Sequence, residues 1–73
     1  MDYETLNQQL GDEYRDQLRR AQRADELWKS PISWTTEATL MEVIAVGTPN
    51  EAYSNATASL DRWRAFRAAN RQP

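Results

Sequence analysis

From Tyr3 to Trp28, apolar side chains recur in steps of three and four: Tyr3, Leu6, Leu10, Tyr14, Leu18, Ala21, Ala24, then Leu27 with Trp28. A strand alternates its faces every two residues and cannot gather such a set on one side, whereas an α-helix lays all of it along one stripe. The mean step, about 3.5 residues, resembles a coiled-coil seam more than the wide stripe of a globular helix. Gly11 breaks the composition but not the register. It costs roughly 1 kcal/mol against alanine inside a helix, and Asp12 after it could cap a fresh start. The reading is one long helix over about 3–29 with a weak point at Gly11. Pro31 ends it, because the residue before a proline avoids the helical region.

Charges along this helix pair locally. Asp16 precedes Arg19 and Arg20 by three and four residues, Arg23 precedes Glu26 by three, and Asp25 precedes Lys29 by four, all spacings that meet on a helix surface. Acidic residues crowd the first turns and basic residues the later ones, which suits the helix dipole.

Between Ile32 and Val46 two readings compete. Ile, Thr, Trp and Val favour strands, and a hairpin of Ile32–Thr36 with Leu40–Val46 can be drawn. Leu40, Met41 and Ile44 instead fit a short helix over about 36–46, with Thr35 or Thr36 as cap and Gly47 as left-handed terminator. The helix is the preferred reading. The sharpest local signal follows it. Thr48-Pro49-Asn50-Glu51 places a hydroxyl at the cap, proline at the first helical position and a carboxylate three residues after the cap, a capping box in which Thr48 and Glu51 each satisfy the other's amide. The helix it opens, about 49–69, carries Tyr53, Ala56, Leu60, Trp63 and Phe66 on one face. Ala52, Ala56, Ala65, Ala68 and Ala69 allow close helix approach.

The fold class is therefore all-α, one domain over residues 1–73, arranged as a helical hairpin or three-helix unit with residues 71–73 frayed. So short a chain buries little: among the apolar residues ten are alanine, and the larger ones must offset backbone ordering of roughly 1–2 kcal/mol per residue. Either very regular packing or a partner is expected to complete it, and dimerisation into a four-helix arrangement would cover aromatics that one hairpin leaves wet. The longest apolar run, Val43–Val46, is far too short to span a bilayer. Met1–Leu10 begins with Asp2 and Glu4 and lacks the basic and apolar regions of an export signal, so the expected compartment is the cytoplasm.

Composition narrows the chemistry. With no histidine and no cysteine, zinc sites of the usual type, Ser-His or Cys-His nucleophiles and disulfides are excluded. The carboxylates Asp12, Glu13 and Asp16, or Asp25 and Glu26, lie among arginines on an exposed helix, where nothing raises a pKa. No Glu-x-x-His pair, EF-hand or phosphate loop is present, so neither an enzyme nor a cofactor or metal is expected.

Binding is what the residues favour. Net charge is −2, yet segments 1–13, 14–29, 30–61 and 62–73 carry −4, +2, −4 and +4. Three Trp, three Tyr and one Phe exceed what so small a core can bury, and Trp, Tyr and Arg are enriched at interface hot spots. Trp28, Ile32 and Trp34 flank the Pro31 bend. They form either an exposed apolar tip, with Arg15, Arg19 and Arg23 as a basic stripe beside it, or a minor core folded over the helix ends. The tip with its stripe is the candidate protein-binding surface. Arg62, Arg64, Arg67 and Arg71, interleaved with Trp63 and Phe66, are the alternative nucleic-acid contacts. A helix-turn-helix drawn through Leu40–Val46, Gly47–Asn50 and Glu51–Trp63 fits poorly, because its reader offers no cation before Arg62. In size, composition and lack of catalytic groups the chain is similar to the small helical regulators with which bacteria and phages block or adapt a larger assembly, such as transcription inhibitors and anti-CRISPR proteins. That resemblance implies a non-catalytic regulator or inhibitor with a larger protein partner. A DNA-binding regulator and a small structural or assembly component are the alternatives.

Overall fold

The computed structural model describes residues 2–71. Helix α1 spans Tyr3–Lys29, a single 3-10 turn covers Pro31–Ser33, α2 spans Glu37–Val46 and α3 spans Pro49–Ala69. Each helix starts where a side-chain oxygen takes up an end amide: Asp2 accepts from Thr5 N (2.8 Å), Thr36 from Thr39 N (3.1 Å) and Thr48 from Glu51 N (3.2 Å). Only this half of the Thr48/Glu51 capping box is made among the described residues; the Glu51 carboxylate lies instead beside Gly47. Gly47 closes α2 at φ 73°, a backbone conformation that disfavours any side chain. Pro31–Ser33 form a 3-10 turn, residues 34–36 a turn and residues 40–46 lie in α2, so the hairpin reading falls.

Helices α1 and α3 run antiparallel along most of their length. Tyr3 stacks on Phe66 at one end (5.3 Å between ring centres), and Ala21 and Ala24 meet Ala52 toward the other. The seam between them is made of small residues. Gly11, Ala21 and Ala24 of α1, and Ala52, Ala56 and Ser59 of α3, are buried, with Leu27 the one large side chain to join them. The stripe of α3 that faces α1 thus runs 52, 56, 59, 63, 66, buried at the first three and half-buried at Trp63 and Phe66, with Leu60 half-buried beside it. Tyr53, read from the sequence as part of that stripe, is exposed, as are Ala65, Ala68 and Ala69. Serine at 59 hid the register, because its hydroxyl is satisfied locally by Arg62 Nη2 at 3.0 Å.

α1 runs unbroken through Gly11. The indole of Trp63 lies across that position: a Cβ there would stand 3.1 Å from Trp63 Cζ2 and 3.3 Å from Cη2. Glycine is a notch in α1 for the largest side chain of α3. The indole is held from several sides, donating from Nε1 to Asn7 Oδ1 (2.7 Å) and lying 6.2 Å from the Tyr14 ring.

α2 lies against the C-terminal half of α1, where Arg23 Nη2 donates to Glu42 Oε1 at 2.7 Å and Val46 packs on the alanine cluster. The molecule measures 53 × 20 × 13 Å, with a radius of gyration of 15.6 Å; a compact chain of this length would have about 11 Å. Its accessible surface, 5484 Å², exceeds the roughly 4,700 Å² expected for a globular protein of its mass. Among the described residues no helix is long and apolar enough to cross a membrane.

Candidate functional site

The elongated hairpin has two chemically distinct ends. At the bend, α2 is apolar on two sides. Val43 and Val46 turn inward and are half-buried, while Leu40, Met41 and Ile44 turn outward, and no residue of α2 is fully buried. Ile44 is 80 % exposed, Met41 63 % and Ile32 on the adjoining turn 87 %. A helix apolar all round is ordinarily an interior helix. With Trp28 and Tyr53 also open, every large hydrophobic side chain exposed among the described residues lies in this half of the molecule.

The two tryptophans at the bend part company. Trp34 folds back, its ring edge-on to Trp28 (5.1 Å, 78°) and its Nε1 donating to Leu27 O at 2.9 Å, which caps a carbonyl of the last turn of α1. Trp28 and Ile32 stay exposed. The tip and the minor core expected as alternatives thus coexist, divided between neighbouring residues. Leu40, Met41 and Ile44, which complete the open surface, were read from the sequence only as a helix face. Their signal was already there: nearly every position from Leu40 to Val46 is apolar, more than one buried stripe needs.

The basic stripe is largely spent on neighbours. Arg15 pairs with Asp12 (2.8 Å), Arg23 bridges Glu26 and Glu42, and Arg19 alone of the three has no ion pair among the described residues. The guanidinium of Arg23 holds the Glu42 carboxyl below its ordinary range, and the Thr5 amide does the same for Asp2. Both are therefore anions engaged in structure. Glu37 and Glu51, by contrast, have no ion pair among the described residues, so the apolar end carries an acidic margin.

At the opposite end Arg64, Arg67 and Arg71 line a cleft of about 630 Å³ with Tyr3, Glu4 and Ala68. Arg62, grouped with them in the sequence, faces elsewhere and pairs with Glu13 across the hairpin. No family model, curated protein or solved structure matches this chain.

Proposed function

We propose that this chain is a cytoplasmic, non-catalytic protein-interaction module, a small regulator or inhibitor of bacterial or phage origin that docks by its α2 end on a larger assembly such as transcription machinery or a CRISPR complex. The observation that carries this reading is a helix apolar on two sides with only one side covered.

Charge selects the partner. Residues 30–61 contain four carboxylates and no cation, and Glu37 and Glu51 flank the apolar face without ion pairs among the described residues. A second copy would bring these like charges together, whereas an apolar groove rimmed by Lys or Arg would neutralise them. The DNA-reading alternative gains nothing here: α3 buries Ala52, Ala56 and Ser59 against α1, and Arg62, the first cation of α3, is tied to Glu13.

A photo-crosslinking amino acid at Ile44, with one at Ala58 as control, tests this in the native cell. One discrete heterologous adduct is expected from position 44 alone, abolished by Met41→Glu and by reversing charge on the partner's groove rim. Adducts only with itself, or equal labelling from position 58, would overturn the reading.

A further inference from the structure

The cleft at the far end of the hairpin is unused by this reading. It forms because the antiparallel packing brings the start of α1 to the end of α3, where Tyr3 stacks on Phe66 and leaves Arg64, Arg67 and Arg71 around one opening. Arg64 and Arg67, at i and i+3, share one face of the last turns of α3, and Arg71 lies just past the helix, which ends at Ala69. Of the molecule's other six cations, Arg15, Arg20, Arg23, Lys29 and Arg62 are each in an ion pair, leaving only Arg19. None of the three cleft arginines has one among the described residues. The helix dipole accounts for cations in a last turn. It does not account for three of them around the same cleft, with Glu4 in the lining but in no ion pair with any of them.

We infer that this cleft binds a nucleotide by its terminal phosphate, the three guanidinium groups holding the phosphate oxygens and the base lying along the Tyr3 side. Charge fits the phosphate: the arginines with Glu4 give the lining a net +2, and a phosphomonoester carries about −1.5 to −2 at neutral pH. A lone carboxylate would leave the cleft positive. Geometry fits as well, since guanidinium presents a planar fork to phosphate oxygens. One fork is already oriented, because the Arg67 guanidinium sits 5.7 Å from the Trp63 ring centre. The rest of the lining is Ala68 and the Tyr3 ring, a surface suited to a flat base. The nucleotide could be free or the phosphorylated 5′ end of a strand; the terminal phosphate is common to both.

The full chain, labelled with ¹⁵N, is titrated with AMP, inorganic phosphate, polyglutamate, and a hexanucleotide carrying either a 5′-phosphate or a 5′-hydroxyl. Amide shifts should gather at Tyr3, Glu4 and residues 64–71, with AMP binding more tightly than inorganic phosphate. The phosphorylated hexanucleotide binding more tightly than AMP would assign the site to strand ends, and the reverse order to free nucleotides. Arg67→Gln with Arg71→Gln should weaken binding by about ten-fold or more, Glu4→Gln should tighten it, and affinity should fall as pH drops through about 6, where the phosphate takes up a proton. Both variants alter exposed side chains, and unshifted resonances elsewhere report that the fold is intact. The inference is overturned if no phosphate probe shifts these amides, if the arginine variant binds as well as the parent, if polyglutamate binds more tightly than AMP, or if the 5′-hydroxyl strand matches the phosphorylated one. Ile44→Glu leaves this cleft untouched, so its failure and that of the docking surface are read separately.

Discussion

Gly11→Ala puts two effects of opposite sign at one atom. On an isolated helix the change would stabilise by roughly 1 kcal/mol, since alanine is the better helix former and orders at lower entropic cost. Here the new Cβ would lie 3.1 and 3.3 Å from two atoms of the Trp63 benzo edge and 3.1 Å from Arg15 Nη2. The arginine tip swings away at little cost. The indole has no such freedom, because withdrawing its edge pulls Nε1 from Asn7 Oδ1, 2.7 Å away, and disturbs the packing on Tyr14. Overfilling a packed contact costs typically 1–3 kcal/mol, so the net effect is a destabilisation of about 1 kcal/mol. For a domain of this size that lowers Tm by about 4–8 °C. Thermal and urea unfolding followed by helical circular dichroism measure it. Trp63→Phe deletes the offending edge, so adding Gly11→Ala in that background should raise stability instead. A Gly11→Ala variant with a Tm above that of the parent would refute the account of glycine as a notch.

Other consequences are smaller. Trp34→Phe keeps a ring beside Trp28 but removes one of the two donors to Leu27 O, the Ser30 amide remaining, and should lower unfolding free energy by about 0.5 kcal/mol. Met41→Glu and Ile44→Glu alter outward positions of α2 and should leave stability within about 0.5 kcal/mol while abolishing partner adducts. Glu42 and Asp2 have depressed pKa values in the folded chain, so the unfolded state binds their protons more readily. The stability they contribute is present at neutral pH and lost as pH falls below about 4.5. The urea midpoint should drop over that interval, and Glu42→Gln should make the drop shallower.

Helix ends were the most legible part of the sequence. Thr36 and Thr48 act through oxygens within three residues of the amides they satisfy, and Pro31 and Gly47 act on their own backbone, so each of these boundaries is a local event, whereas the Asp2 cap of α1 was seen only in the structure. The stripe of α1 was legible too, since Leu and Tyr at the steps of a seam have one place to go. What escaped was the chemistry of smallness. Ser59 and Gly11 look like helix-neutral or helix-weakening residues until the opposing helix is in place, and the fit of Gly11 to Trp63 spans 52 positions of chain. The division of Trp28 from Trp34 was equally hidden, because it turns on one hydrogen bond to a carbonyl that any residue at position 27 would offer. At the other end, the sequence grouped Arg62 with Arg64, Arg67 and Arg71, and only the placement of Glu13 separates it from them.

The seam of glycine, alanine and serine also sets how disturbance travels through this protein. Where the seam is only glycine, alanine and serine, two stiff rods have little side chain between them to absorb a misfit. A larger residue at Ala56 would act as a wedge at mid-length, prying the rods apart like the blades of scissors, and the gap would open toward Tyr3 and Phe66 as well as toward Leu27. Aromatic contacts at opposite tips of a 53 Å molecule are thus mechanically joined through a seam whose buried residues, Leu27 apart, carry side chains of one carbon or fewer.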